Sequence, residues 1–250
     1  MKKLVEAHLL FIVLLFALIT SAYASVTMQA VIDQDICVTF DFKNMNSTIY
    51  WKIKNENLIN ESSIPNIILD KLEQRGLTHV GCYTPARALD FNDSALSLRV
   101  TFCLYGSDIL NFTVNTKSMR RTYYVRTDWR NFQFNVTDGF FVDFNEYFGS
   151  PISHYPPSSP SSPWQITDYT DSEGKIHRAY FCNHTDSNSF DPLCYFVLPT
   201  EASNIHAVGD VIIFELPASF EDSLLNSPFL ILGAIIVGII AFSLYRKVRK

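Results

Sequence analysis

The C-terminal stretch constrains this chain more than any other. Residues 229–245, FLILGAIIVGIIAFSLY, are seventeen positions without a charged side chain, and they run directly into RKVRK at 246–250. Built as a helix rising about 1.5 Å per residue, that run reaches roughly 26 Å, close to the ~30 Å hydrocarbon thickness of a bilayer; Leu224 and Leu225 extend it. No polar face emerges at any period, which separates it from an amphipathic core helix. Residues 228–245 are therefore expected to be a transmembrane helix seated in a lipid bilayer. Arg246, Lys247, Arg249 and Lys250 lie on one side and Glu221 and Asp222 on the other, so the basic tail 246–250 is expected in the cytosol. Everything upstream is expected to be luminal or extracellular.

The N-terminus agrees with that orientation. Lys2 and Lys3 precede an apolar run at 9–19, and SAYAS follows with Ala22 and Ala24 at the small-residue cleavage positions, the pattern of a secretory signal peptide over 1–24. An eleven-residue apolar run is short for a span. What remains, 25–227, carries 14 Lys and Arg against 24 Asp and Glu, a net charge of −10. Such a surface does not suit nucleic acid as a partner.

Six Asn-x-Ser/Thr sequons occur, at Asn46, Asn60, Asn92, Asn111, Asn135 and Asn183, all inside 25–227. Each is a candidate N-glycosylation site. Two of them sit in alternating stretches. In ILNFTVNT, Leu110, Phe112 and Val114 alternate with Asn111, Thr113 and Asn115; in NFQFNVT, Phe132, Phe134 and Val136 alternate with Asn131, Gln133 and Asn135. Both sequons fall on the polar face of a predicted strand, where a glycan would point away from the apolar face.

Strand-like alternation or short β-branched and aromatic runs recur at 26–31, 36–42, 49–53, 95–104, 122–125, 140–144, 180–182, 194–198 and 211–215, separated by Asn, Asp, Gly, Ser and Pro clusters. Only 64–74 reads as helical, and Pro65 stands near its start. The expected fold is all-β, an antiparallel sandwich or prism ectodomain followed by one transmembrane helix. Residues 149–164, GSPISHYPPSSPSSPW, hold five prolines and six serines. They cannot pair in a sheet, and read as a long exposed loop within one domain or a hinge between two, with the loop favoured because little chain follows for a second β domain.

All five cysteines lie in the expected luminal part 25–227, at Cys37, Cys82, Cys103, Cys182 and Cys194, where an oxidising compartment favours disulfides. An odd number leaves one over, and the sequence alone does not fix the pairing. In LSLRVTFCLYG the apolar Leu96, Leu98, Val100, Phe102 and Leu104 share a face, which places Cys103 on the other with Arg99 and Thr101. Cys103 is accordingly expected to be unpaired and available for a disulfide-linked homodimer, a buried free thiol being the alternative. The expected bridges are then Cys37 with Cys82 and Cys182 with Cys194.

DICVTFDF around Cys37, VGC at Cys82 followed by ALDFNDSALSLRVTF, and KIHRAYFC at Cys182 together resemble the luminal domain of the lysosome-associated membrane proteins. A similar arrangement occurs in the luminal domain of the vacuolar proton ATPase accessory subunit. The resemblance implies a non-enzymatic type I glycoprotein of the endosomal and lysosomal system, acting in trafficking or membrane protection through a protein partner, and a Cys37–Cys82 bridge suits it. The chain departs from the family where Cys194 follows soon after Cys182 and where a Gly-Tyr sorting signal is missing. Tyr245-Arg246-Lys247-Val248 stands in that place; it fits the loose tyrosine-x-x-apolar sorting pattern, Tyr245 and Val248 being its ends, or else Tyr245 is an interfacial aromatic anchor.

Catalytic chemistry finds little support in the sequence. There is no Gly-x-Ser-x-Gly elbow, phosphate-cradling glycine loop or paired-His helix. His177, Cys182 and His184 match no standard metal spacing. DYTDSEG at 168–174 lacks the alternating oxygens of a calcium loop and reads as a turn. No enzyme activity, cofactor or metal is expected. The other functional readings are a cell-surface receptor or adhesion ectodomain, and an accessory subunit of a membrane complex such as the proton pump.

Overall fold

The computed structural model describes residues 25–219 except 116, 132, 138–139, 154–162 and 184–191, and beyond these only Gly233, Ile236, Val237 and Tyr245, all helical. The expected signal peptide 1–24 and basic tail 246–250 lie outside the described residues, as does the expected span 228–245 apart from those four positions. Among the described residues no helix is long and apolar enough to cross a membrane.

The chain is mostly β and mostly antiparallel. The first two strands, β1 (Ser25–Ile32) and β2 (Ile36–Lys43), alternate strictly: Val26, Met28, Ala30 and Ile32 are buried on β1, and Ile36, Val38, Phe40 and Phe42 on β2. Period two puts every second side chain on the core face, so these sequences bury one face and wet the other. The next elements are α1 (Ser47–Asn55), α2 (Ile64–Glu73), β3 (Gly81–Tyr83), β4 (Leu89–Asn92), β5 (Ser97–Tyr105), β6 (Leu110–Asn115) and β7 (Arg120–Arg126). A 3-10 turn (Asp128–Arg130), β8 (Gln133–Thr137), β9 (Phe140–Asp143), α3 (Phe144–Phe148), β10 (Trp164–Thr170), β11 (Ile176–Asn183), β12 (Leu193–Val197), β13 (Ser203–Val208) and β14 (Val211–Pro217) complete it.

The large sheet has the order β10-β11-β12-β1-β2-β5-β3, with β4 also on β5; the second is four-stranded, β13-β14-β7-β6; β8 and β9 pair alone. One pairing departs from the antiparallel expectation: β1 and β12 run parallel, Thr27 opposite Leu193 through Val31 opposite Val197. This is the seam where the C-terminal hairpins meet the N-terminal strands, and a parallel neighbour needs the long crossover that the intervening chain supplies. Strands on both sides of 149–164 thus share both main sheets.

The helices fill the space beside the large sheet. Residues 49–53, expected as strand, are helical, and the reason is local. Asn46 accepts from Thr48 N and Ile49 N (3.0 and 3.4 Å), an N-cap that satisfies donors a helix start leaves open. Tyr50 and Ile53 then fall on one face and are buried, while Lys52 and Lys54 sit in the last turn, where the helix dipole favours cations. The run TIYW at 48–51 suits either period by composition; the cap decides. In α2, Pro65 occupies the first turn, where its missing N–H costs nothing, and Ile64, Ile68 and Leu72 form the buried stripe at four-residue spacing.

An aromatic core joins the layers. Phe144 of α3 lies 4.9 Å from Phe40 of β2, Phe148 is stacked 5.9 Å from Phe144, and Trp164 of β10 stands 5.9 Å from Phe196 of β12. Tyr123 of β7 stacks on Phe214 of β14 at 5.2 Å. Each fully buried side chain of this size stabilises the fold by about 1.5–3 kcal/mol.

Candidate functional site

On the outer face of the large sheet, Cys37 of β2 is directly opposite Cys103 of β5, which on its other side is opposite Tyr83 of β3. Cys37 and Cys103 form a disulfide, with Cα atoms 4.0 Å apart. This corrects two expectations: Cys103 is not the unpaired cysteine available for an intermolecular bond, and Cys37 does not pair with Cys82. Alternation does place Cys103 on the face away from the core, but it is only 1 % exposed, because its cross-strand neighbours cover it. Tyr83 donates its hydroxyl to Asp35 across the bridge, and the rings of Tyr83 and Tyr105 stand 6.2 Å apart. The Tyr83 hydroxyl is held above its usual range by that hydrogen bond. Tyr105 can lie over β3 because position 81 is glycine; a Cβ there would meet its Cζ at 2.1 Å. Asp35, Cys37 and Cys103 bring three potential metal-ligand atoms within 4.8 Å, but the two sulfurs are bonded to each other and have no thiolate to offer.

The remaining cysteines are thiols. Cys182 of β11 is opposite Cys194 of β12 in register, so the expected partners do meet, yet both are free and buried, and Cys82 is free and half-buried. Burial pushes the Cys82 thiol up to about 12 and that of Cys182 up to about 11, and holds Cys194 well above the usual range, against the opposing pull of the Arg130 guanidinium on the last two.

The sequons divide by setting. Asn92, Asn111 and Asn183 are exposed, whereas Asn46 and Asn60 are half-buried and bonded within local turns. In two of them the hydroxyl of the third sequon residue already reaches the asparagine: Ser62 Oγ donates to Asn60 Oδ1 at 2.7 Å and Ser94 Oγ to Asn92 Oδ1 at 2.8 Å. The Asn135 side chain lies outside the described residues. Of the expected sorting pair, Tyr245 is helical and 59 % exposed, and Val248 lies outside the described residues.

Two polar arrangements were not legible in the sequence. Arg130 is wholly buried and donates to Phe148 O, Thr127 O, Thr127 Oγ1, Ser150 O and the Asp210 carboxylate, with its guanidinium 5.2 Å from the Trp164 ring centre. Trp164 Nε1 also donates to Ser150 O, at 2.9 Å. Ser150 and Trp164 flank the Pro/Ser-rich stretch, so its two ends are fastened at one place, as a loop requires. The second arrangement is an open cleft of about 290 Å³ lined by Asp41, Lys43, Asn44, Ala95, Ser97 and Arg99. Arg99 and Lys43 both approach Asp41, at 3.4 and 3.8 Å, so its charges are largely spent on each other.

His177, set aside as a metal ligand, is held by protein groups. Its Nε2 is 3.0 Å from the Asp171 carboxylate and its Nδ1 2.9 Å from Leu198 O. Asp171 lies in the β10–β11 turn, where it also accepts from Glu173 N and Lys175 N; of the stretch 168–174 expected as a turn, Asp168, Tyr169 and Thr170 end strand β10, and the tight turn is 171–175, with Gly174 at φ +83°.

No protein-family model matches this chain, and neither does any curated protein or solved structure.

Proposed function

We propose that this protein is a single-pass type I membrane glycoprotein whose β-rich ectodomain works by binding a protein partner, without catalysis, within the endosomal and lysosomal system. The observation that carries the luminal glycoprotein part of this reading is the outer-face disulfide, Cys37–Cys103, together with sequons at exposed strand positions; the endosomal and lysosomal residence rests on the sequence resemblance. Disulfides persist in oxidising compartments, and sequons are used there. The charge-free run at 229–245 and the basic residues after it supply the anchor and its orientation. The polar groups that the fold gathers most tightly, around Arg130 and Asp171, are consumed in mutual hydrogen bonds, which suits a scaffold better than a reactive centre.

The Cys37–Cys103 bond favours a second reading of residence. A Cys37–Cys82 bridge was the pairing that suited the lysosome-associated resemblance, and its replacement leaves a cell-surface receptor or adhesion ectodomain standing beside the endolysosomal one, with an accessory subunit of a membrane complex as the third.

The test uses the full-length chain tagged after Lys250 in animal cells. A glycosidase-sensitive mobility shift, retention in membranes after alkaline carbonate, and a tag accessible when only the plasma membrane is permeabilised are the expected results. Absence of both the shift and membrane retention would overturn the proposal. Co-localisation with lysosomal markers or surface biotinylation then separates the two residences.

A further inference from the structure

Every strand of the second sheet contributes one residue to a line across its outer face. Asn111 of β6 is opposite Tyr124 of β7, Tyr124 is opposite Ile213 of β14, and Ile213 is opposite His206 of β13. These side chains point away from the core, because their chain neighbours Tyr123, Val125, Ile212 and Phe214 are the buried ones. The line begins at a sequon and continues into apolar surface. Tyr124 is 38 % exposed, and in the adjacent line Val208, 63 % exposed, stands opposite Val211. A solvated sheet face ordinarily carries polar side chains at such positions.

The Asn111 amide is posed for modification. Its Oδ1 accepts from Phe112 N at 2.7 Å, and among the described residues Nδ2 makes no hydrogen bond. Phe112 points to the opposite face, where it is 44 % exposed with the Arg121 guanidinium 4.7 Å from its ring centre. Tyr124 is left as the aromatic directly beside the Asn111 side chain. Directly opposed Cβ atoms stand about 4.5–5.5 Å apart, and the next strand lies about 4.8 Å further on.

We propose that Asn111 carries an N-linked glycan whose first N-acetylglucosamine lies against the ring of Tyr124, with the second reaching Ile213, so that sugar covers this face of the sheet. The proposal rests on the luminal reading above, since only there does the chain meet the donor, a polyprenyl-pyrophosphate-linked oligosaccharide. In the transfer, Nδ2 forms a bond to the anomeric carbon of the first sugar, that carbon's bond to the pyrophosphate oxygen breaks, and the amide proton leaves with the polyprenyl pyrophosphate. The pyranose face of axial C–H bonds then meets the electron-rich tyrosine face, and apolar area on both is withdrawn from water. A flat protein partner does not suit the same surface, because a bulky hydrated group attached at its edge would stand in the way.

The experiment uses full-length protein purified in detergent from glycosylating animal cells, with site occupancy read from glycopeptides by mass spectrometry. The expected result is an occupied Asn111, a Tm lowered by about 2–4 °C in Asn111→Gln, and less than half that loss when Asn111→Gln is introduced into Tyr124→Ser. Tyr124, weakly nitrated by a tyrosine-nitrating reagent in the parent, is expected to be readily nitrated in Asn111→Gln; this second readout stands even if the double variant folds poorly. Equal loss of Tm in both backgrounds with unchanged nitration overturns the proposal. So does an unoccupied Asn111 when other sequons carry sugar, or an oligomer of this chain that Tyr124→Ser dissolves while Asn111 is bare. If no sequon is occupied, the luminal reading itself fails.

Discussion

Arg130 Nη2 lies 2.8 Å from Asp210 Oδ1, joining a guanidinium with no solvent exposure to the acid that precedes β14. A buried cation without partners would cost several kcal/mol, so its four other acceptors are as necessary as the ion pair. Together they fasten the 3-10 turn, the end of α3, the ends of the Pro/Ser-rich loop and the β13–β14 turn to one side chain.

Replacing Arg130 with methionine is therefore expected to destabilise the fold by about 3–5 kcal/mol, seen as a Tm fall of roughly 2–4 °C per kcal/mol. Asp210→Asn keeps an acceptor oxygen at the same place and should cost clearly less. Thermal unfolding of both variants checks this; an Arg130→Met protein as stable as the parent would refute the hub role.

The disulfide and the thiols give a chemical prediction. Cys37 and Cys103 are 66 residues apart in sequence, and in the chain-entropy account a bridge closing such a loop contributes about 4 kcal/mol. Cys103→Ser is expected to lose most of that and to release Cys37 as a fourth thiol. In the parent, the thiolate is the reactive form, and thiols pushed to about 11 and about 12, as Cys182 and Cys82 are, stay almost fully protonated at pH 8. Iodoacetamide should therefore modify Cys82, Cys182 and Cys194 only after unfolding. Rapid native labelling of any of them, or a dimer abolished by Cys103→Ser, would contradict this assignment.

Asp171 gives a pH dependence with a definite sign. The His177 hydrogen bond, then the backbone N–H groups of Lys175 and Glu173, hold its carboxyl below the usual carboxylate range. A folded-state value below the unfolded one stabilises the fold fully above the unfolded value, about 3.9, and that stabilisation is lost as the pH falls through the lower folded value. The Tm advantage of the parent over Asp171→Asn is thus expected to be constant from pH 5 upward within this carboxyl's contribution and to shrink below about pH 4. Lys175, Glu173, Asp168 and Arg178 stand around the same turn, and their salt sensitivity is controlled by repeating the titration at high ionic strength.

Much of the β framework was legible because alternation is a period-two property of the chain itself. In β1, β2 and β5 the buried faces fall on the residues that the pattern marks. What failed was cross-strand information. Whether Cys103 meets Cys37 or solvent depends on which strand lies beside β5, and no residue near Cys103 records that β2 will take that place. The same holds for Cys182 and Cys194: both are expected on strands, but their thiol state depends on how β11 and β12 pair. Residues 49–53 suit a strand by their β-branched and aromatic side chains, while the decisive signal stands three positions before the run, in the capping side chain of Asn46. Arg130 carried no signal at all: its meaning lies in carbonyl groups of Phe148 and Ser150, which every sequence possesses.

Asn46 joins two roles in one side chain, and they can be separated. It caps α1 through Oδ1, with Thr48 N as one donor, and Thr48 is also the third residue of its sequon. Asn46→Asp keeps an oxygen at the cap, adds a negative charge where the helix dipole favours one, and removes the sequon. Asn46→Ala removes both. With the buried Tyr50 and Ile53 face depending on where the helix starts, Asn46→Ala is expected to cost about 1 kcal/mol, a Tm loss of roughly 2–4 °C, and Asn46→Asp little or nothing in protein made without glycosylation. In glycosylated protein the two variants should lose the same sugar, so any shared loss of Tm reports the glycan and the difference between them reports the cap. Equal stability of the two variants in unglycosylated protein would mean that α1 is held by the packing of Tyr50, whose hydroxyl donates to Asp93 at 2.6 Å, and not by its cap.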